Sequence, residues 1–325
     1  MQKTQLGARG PNVSVLGFGA MSFGGIFGPT DTAESLACLD AMHEAGINFI
    51  DTANIYGSGI SETVIGTWLA SRRPDGVVIA TKASIVNGPP RRIDNSAAHL
   101  RAELEGSLRR LGVERVDLFY IHRREHARPL DEVIGTLRDL ENVGKIGGYG
   151  LSEIAPETLR AAHAIHPPLA VQNEYSLWSR QPELGMVQEC ARLGVSFVAF
   201  SPLARGMLGA TPLRPDQVQD GFRAQNPRFT APNFGLNSHR IDAFRAWCAA
   251  RGWSVPATAL AWLRGAGGHV IPIPGTRRAA RLQEWLDLPQ LGQAERAEIE
   301  TILPAGFAAG DRYGDHQLLG IERYC

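Results

Sequence analysis

The chain has 325 residues, with 33 basic and 33 acidic side chains, so the net charge of zero gives no electrostatic reason to expect nucleic acid or anionic lipid as a partner, while leaving room for a local basic pocket. Hydrophobic residues make up 44%, enough to fill the core of one large α/β domain over residues 1–325. The cysteines Cys38, Cys190, Cys248 and Cys325 form no CxxC pair, so no metal site is expected; they read as reduced, mostly buried thiols of a cytoplasmic protein, with Cys325 exposed. Residues 1–11 are polar, which predicts no signal peptide, and no apolar run is long enough to span a bilayer.

Short apolar runs alternate with longer amphipathic stretches along the chain. Residues 13–18 form the first run, and Asp31 is placed to cap a helix over 32–45. Strand-like 47–51 precedes a Gly-Ser-Gly turn and a helix over 61–71. Runs at 77–81, 116–121, 146–151, 169–172 and 196–200 then alternate with helical patterns at 96–111, 130–143, 156–164, 181–193 and 242–251. An extra helix at 256–263 leads to a last strand at 270–273 and a last helix at 276–286. Eight short strands between helices predict a parallel sheet, and eight is the number that closes a (β/α)8 TIM barrel. The open doubly wound alternative would show a GxGxxG turn, and Gly17-Phe18-Gly19-Ala20-Met21-Ser22 lacks the third glycine. Two segments, 201–239 and 304–325, exceed ordinary loop length; the first follows a strand and is placed at the barrel's C-terminal face.

The informative side chains lie at or just beyond successive strands: Asp51 with Tyr56 following it, Lys82, and His122. Strand ends converge at one barrel mouth, so a carboxylate, a phenol, an amine and an imidazole are expected to meet. Taken singly, each has a structural explanation: a helix cap for Asp51, loop packing for Tyr56, a snorkelling amine for Lys82, a core imidazole for His122. Together they suit carbonyl reduction. No side chain donates hydride, so a cofactor is required. The phenol can give the proton if a nearby ammonium lowers its pKa, the carboxylate holds the ammonium, and the imidazole can bond the substrate oxygen.

The stretches Phe49-Ile-Asp-Thr-Ala-Asn-Ile-Tyr-Gly57, Ala80-Thr-Lys82, Asp117-Leu-Phe-Tyr-Ile-His122, Val171-Gln-Asn-Glu-Tyr-Ser176, Ser201-Pro-Leu-Ala-Arg-Gly206 and Ile271-Pro-Ile-Pro-Gly-Thr-Arg277 resemble the aldo-keto reductase superfamily in order and spacing. The stretch from Leu6 to Gly19 is similar to that family's N-terminal hairpin and first barrel strand. The resemblance implies that Tyr56 donates the proton, Lys82 and Asp51 tune it, and His122 orients a small carbonyl substrate. It also implies NADPH (NADP+) as cofactor. Gly19, Ala20, Met21 and Asp51 would line the nicotinamide end, Ser152 and Gln172 would bond its carboxamide, and Phe200 would stack on the ring. Ser201, Pro202, Leu203 and Arg205 would follow the pyrophosphate. Gly275 and Thr276 would open a helix whose N-terminus binds phosphate, with Arg277 and Arg281 on one helix face for the 2′-phosphate and Glu284 near adenine. Trp285 stands where many relatives have Asn, and Arg223 is a further phosphate candidate. Phe23, Phe27, Trp178, Phe307 and Tyr313 suggest a partly apolar substrate pocket. The same residues serve a dehydrogenase acting oxidatively on a sugar or pyridoxine-like alcohol. A regulatory cofactor-binding subunit is the third reading, but relatives of that kind commonly lack the histidine.

Overall fold

The chain begins with an antiparallel hairpin of β1 (Lys3–Gln5) and β2 (Asn12–Ser14), in a computed structural model that describes residues 1–323; the expectation for Cys325 lies outside them. Eight parallel strands follow in one sheet: β3 (Phe18–Gly19), β4 (Phe49–Asp51), β5 (Val78–Ala83), then, after a small hairpin of β6 (Ile85–Val86) and β7 (Arg92–Ile93), β8 (Leu118–Ile121), β9 (Tyr149–Ser152), β10 (Ala170–Glu174), β11 (Ser196–Phe200) and β12 (Val270–Pro272). The sheet order follows the chain order from β3 to β12. Backbone hydrogen bonds from Gly17 N to Pro272 O and from Gly19 N to Pro274 O, both 2.9 Å, join its two ends and close the ring.

The eleven α-helices are α1 (Thr32–Glu44), α2 (Ile60–Arg72), α3 (Ala97–Leu111), α4 (Leu130–Asn142), α5 (Pro156–Ile165), α6 (Met186–Leu193), α7 (Gly221–Ala224), α8 (Asn233–Ala249), α9 (Val255–Arg264), α10 (Gln283–Leu286) and α11 (Gln293–Ile302), counted among the described residues. Asp31 caps α1 by accepting from Glu34 N at 2.7 Å, and Ser96 caps α3 by accepting from His99 N. None of these helices is long and apolar enough to cross a membrane.

Strand periodicity divides the core in two. Phe49, Val78, Ala80, Leu118, Tyr120, Ala170, Val198 and Ile271 point inward into one cluster, which Leu6 and Val13 of the first hairpin complete. The alternate residues, among them Ile50, Ile79, Phe119, Ile121, Val171 and Phe197, pack outward against the helices.

Several sequence expectations change: the helix expected over 242–251 starts at Asn233, inside the 201–239 segment expected as a loop, which also holds α7. The run at 13–18 splits, because its first residues pair with β1 and only Phe18 and Gly19 enter the barrel sheet. The helix expected over 181–193 breaks at Gly185, whose φ of 121° is left-handed backbone, leaving a 3-10 turn before α6. The helix expected over 276–286 does not start at Thr276: residues 275–278 are irregular, a 3-10 turn spans Ala279–Arg281, and α10 begins at Gln283. Thus Gly275 and Thr276 do not form a helix N-terminus, and Arg277 and Arg281 do not share a helix face.

Candidate functional site

The inward parity of the strands assembles the site. Counting up from the core, the next inward position after Phe49 is Asp51, after Ala80 it is Lys82, after Tyr120 it is His122, after Ala170 it is Gln172 and after Val198 it is Phe200. On β9 the same parity presents Gly150 and then Ser152, with Tyr149 and Leu151 facing the helices. The barrel strands β4, β5, β8, β9, β10 and β11 therefore deliver inward side chains to one mouth.

Lys82 is 1% exposed; it donates to the Asp51 carboxylate and, at 2.8 Å, to Thr52 O. Asp51 also accepts from Gln172 Nε2 at 2.7 Å. Burial lowers the Lys82 pKa and raises that of Asp51, and the ion pair between them opposes both shifts. Tyr56 reaches the same point from the loop after β4. Its backbone packs so tightly on Gly24 that a Cβ there would stand 2.6 Å from the Tyr56 carbonyl carbon. The Lys82 Nζ lies 5.3 Å from the centre of the Tyr56 ring, and the His122 ring meets Tyr56 edge-on at 5.9 Å and 83°. A lowered phenol pKa is what the sequence leads one to expect. Here it is raised, by burial first and the Asp51 carboxylate next, with the Arg123 guanidinium opposing. His122 is held well below its ordinary value by burial and then by Arg123, Lys82 and Arg91, so it is neutral at pH 7. Its Nδ1 is buried without a partner.

A groove of about 440 Å³ opens from Asp51 and Tyr56. Its floor is the seam where the ring closes: a Cβ on Gly275 would meet Gly19 O at 2.2 Å, and one on Gly19 would meet Ile273 O at 2.9 Å. Gly19, Met21, Asp51, Gln172, Phe200, Ser201, Pro202, Leu203, Arg205, Arg223, Gly275, Thr276, Arg277, Arg281 and Glu284 all line it. Ala20 and Ser152 do not: Ala20 is fully buried, and Ser152 is 2% exposed and accepts from Arg123 Nη1 at 3.3 Å. The Arg205 guanidinium is committed elsewhere, to Glu174 at 2.8 Å, to Asn226 and to the Arg312 carbonyl. Ser201 and Arg205 hold φ of 51° and 55°, so this segment turns through left-handed backbone without glycine at those positions.

At the far end of the groove Arg223, Arg277 and Arg281 gather, and among the described residues none is paired with a carboxylate. Arg277 donates to Pro29 O at 2.7 Å and Arg223 to Arg205 O at 2.9 Å. Burial and then the charges of Arg277 and Arg281 hold Arg223 down at about 10. Arg223 also covers the Phe27 ring at 5.0 Å. Trp285 lines the groove while stacking on Phe18 at 6.5 Å.

Of the apolar pocket candidates, Phe27 lines the groove, but Phe23 is buried against Phe18 at 5.5 Å and belongs to the core. Trp178 stacks on Phe229 and meets Phe307, and Tyr313 lies between Arg205 and Arg312. Sequence reading passed over Arg123, although it directly follows His122, and over the buried network in which Arg312 pairs with Glu153 and Glu174. No local motif announces that network, because Glu153 follows β9, Glu174 ends β10 and Arg312 lies in the tail.

Residues 15–304 match the family model for the Aldo/keto reductase family. A "Probable aldo-keto reductase 1" of Glycine max is 36% identical over 319 residues, 96% of this chain and 92% of that protein. Among solved structures, the glycerol dehydrogenase from Gluconobacter oxydans superposes with a TM-score of 0.82 at 28% identity, covering 93% of this chain and 94% of that one. An aldo-keto reductase from Bacillus halodurans in its holo form gives a TM-score of 0.77 at 26% identity, with 98% and 99% covered. The closed parallel sheet, the convergent strand-end residues and these similarities agree: this chain belongs to the aldo/keto reductase family of oxidoreductases.

Proposed function

We propose that the protein reduces a small aldehyde or ketone to the alcohol with NADPH, and that the groove holds the dinucleotide. The observation that carries this reading is the polarity of the groove: Asp51 and Tyr56, backed by Lys82 and His122, at one end, and three carboxylate-free guanidinium groups at the other. Bound NADPH supplies hydride to the carbonyl carbon. Tyr56, which keeps its proton at neutral pH, donates it to the carbonyl oxygen, while neutral His122 bonds that oxygen and orients the substrate. Lys82, held by Asp51, stands where it stabilises the phenolate left behind. Gly19, Met21 and Gln172 bound the nicotinamide end, and Ala20 and Ser152 shape it from beneath. Phe200 offers its ring face for stacking, and Ser201, Pro202 and Leu203 line the path of the pyrophosphate. The Arg205 side chain anchors that loop instead of reading phosphate, because its donors are taken. Arg223, Arg277 and Arg281 receive the 2′-phosphate, with Gly275 and Thr276 beside them and Glu284 next to adenine. The buried unpaired thiols Cys38, Cys190 and Cys248 suit a reducing compartment such as the cytoplasm.

The test is NADPH and NADH oxidation, followed by absorbance, over a panel of small aldehydes and ketones. Turnover with NADPH at much lower cofactor concentration than with NADH is expected. Preference for NADH would overturn the cofactor assignment, and no turnover of any carbonyl would overturn the reductase reading. The likeness to a glycerol dehydrogenase favours one second reading, oxidation of a polyol by NADP+, which the reverse assay with glycerol and related alcohols decides.

A further inference from the structure

Two more guanidinium groups stand at the catalytic end, and neither is neutralised. Arg123 follows His122 at the top of β8 and is 6% exposed. Its Nη1 donates to His122 O at 2.6 Å and to Ser152 Oγ at 3.3 Å. Its Nε is buried without a partner. Arg91 lies in the turn between β6 and β7, half-buried, and its Nε is likewise buried and unpartnered. Among the described residues neither arginine pairs with a carboxylate; the equally buried Arg228 is met by the carbonyls of Gly310 and Trp178 and by Ser179 Oγ, Arg205 pairs with Glu174, and Arg312 pairs with Glu153 and Glu174.

Arg123 directly follows His122 and is bonded to its carbonyl, and the charge of Arg91 is felt at the same imidazole. Burial and then the Arg123 charge hold the Arg91 pKa down, both arginines add to the burial that lowers His122, and Arg123 pulls on the Tyr56 phenol. The tail packs on Arg123, since a Cβ on Gly320 would stand 2.8 Å from the Arg123 Cβ and 3.2 Å from Ile93 of β7. Burying unneutralised charge works against folding, and the unpartnered Nε–H of each guanidinium is a charge-assisted donor that a carboxylate or phosphate can accept from.

We infer that Arg91 and Arg123 form an anion subsite beside Tyr56 and His122, and that the carbonyl substrate carries a carboxylate or phosphate group. This rests on the reductase reading above. The subsite fixes the substrate by its charged end and leaves the carbonyl to Tyr56 and His122.

Matched aldehydes test it: succinic semialdehyde against butanal, 4-carboxybenzaldehyde against benzaldehyde, and glyceraldehyde 3-phosphate against glyceraldehyde. The wild type is expected to favour at least one anionic member of these pairs by tenfold or more in kcat/KM, and the pair that does so distinguishes carboxylate from phosphate. In Arg91→Gln and Arg123→Gln that ratio is expected to fall about tenfold, chiefly through KM, and added salt should lower it in the wild type. Arg91→Gln lies away from the Ser152 bond, so it remains informative if Arg123→Gln fails to fold. Equal efficiency within every pair, or a ratio that survives in the variants, would overturn the subsite while leaving the reductase intact. If no aldehyde is reduced, the reductase reading falls, and calorimetric titration of the NADP+-loaded protein with succinate and with inorganic phosphate decides the subsite separately: binding lost in Arg91→Gln supports it, and no binding of either anion overturns it.

Discussion

Tyr56 is positioned by backbone contact with Gly24 and by the rings and charges around its hydroxyl. A phenol is protonated at neutral pH, the form a proton donor must hold before the hydride moves; burial and the Asp51 carboxylate raise the Tyr56 pKa further, which weakens it as an acid, so it depends on neighbouring cations when the proton leaves. Replacing Tyr56 with Phe removes the hydroxyl and leaves the ring packing. Turnover is expected to fall by roughly two to four orders of magnitude, the range for loss of a general acid, while cofactor binding measured by fluorescence stays near the wild-type value. Near-normal turnover would exclude Tyr56 as the donor. His122 offers a test at the same scale through pH. Its folded pKa lies below its ordinary value of 6.5, so as the pH falls below that value the unfolded chain takes up a proton that the folded chain refuses. Stability conferred by the neutral imidazole is therefore present above about pH 6.5 and is lost as the pH drops towards the folded pKa, by about 1.4 kcal/mol per pH unit. Urea denaturation at pH 7.5 and 5.5 should show His122→Gln losing less stability between the two than the wild type, and equal losses would contradict the depressed pKa.

Elements decide which side chains can meet. The inward parity that buries Phe49, Ala80 and Tyr120 also carries Asp51, Lys82 and His122 to the mouth, and this was legible because both the strands and their last residues are written in local sequence. The last helix was not. Residues 276–286 have helical spacing, but the segment must pass over the glycine seam, where Gly275 lies against Gly19 O, and it becomes helical only at Gln283. Helix α11 and the β6–β7 hairpin also went unanticipated, the hairpin because each strand has only two residues. Although the helix geometry fails, Arg277 and Arg281 still reach one groove, now joined by Arg223. Replacing both Arg277 and Arg281 by Ala is expected to weaken NADPH binding by roughly tenfold to a hundredfold, with NADH binding almost unchanged; each charge-assisted bond contributes about 1.5–3 kcal/mol before solvent screening reduces it. Fluorescence titration with both cofactors measures this. Equal losses would show the arginines supporting the loop instead of reading the 2′-phosphate.

On the scale of the whole molecule, the tail is fastened to the barrel by buried charge. Arg312 donates to Glu153, which is fully enclosed, and pairs with Glu174 at 3.4 Å, while Glu174 also pairs with Arg205 of the groove loop. Burial raises the Glu174 pKa, but Arg205 and Arg312 together bring it below its ordinary value. Removing one partner leaves charge buried and uncompensated, a change that typically costs about 3–5 kcal/mol. Arg312→Met is therefore expected to lower the urea midpoint markedly and to loosen cofactor binding through Arg205. A variant as stable as the wild type would show that the network contributes little to folding. Such a network lay beyond sequence reading because its charges come from strands, loop and tail that only the closed fold brings together.

The seam between Gly17, Gly19 and the Pro272–Pro274 stretch also has a consequence in time. The first and last strands of the ring are neighbours in space yet are synthesised at opposite ends of translation. At about 5–20 residues per second, the first strand waits on the order of tens of seconds for its partner to leave the ribosome. Until then the nascent sheet has two open edges and the Gly19–Gly275 floor does not exist. The proposed dinucleotide groove is thus a property of the finished polypeptide, and a nascent chain arrested before β12 emerges should remain protease-sensitive whatever concentration of cofactor surrounds it.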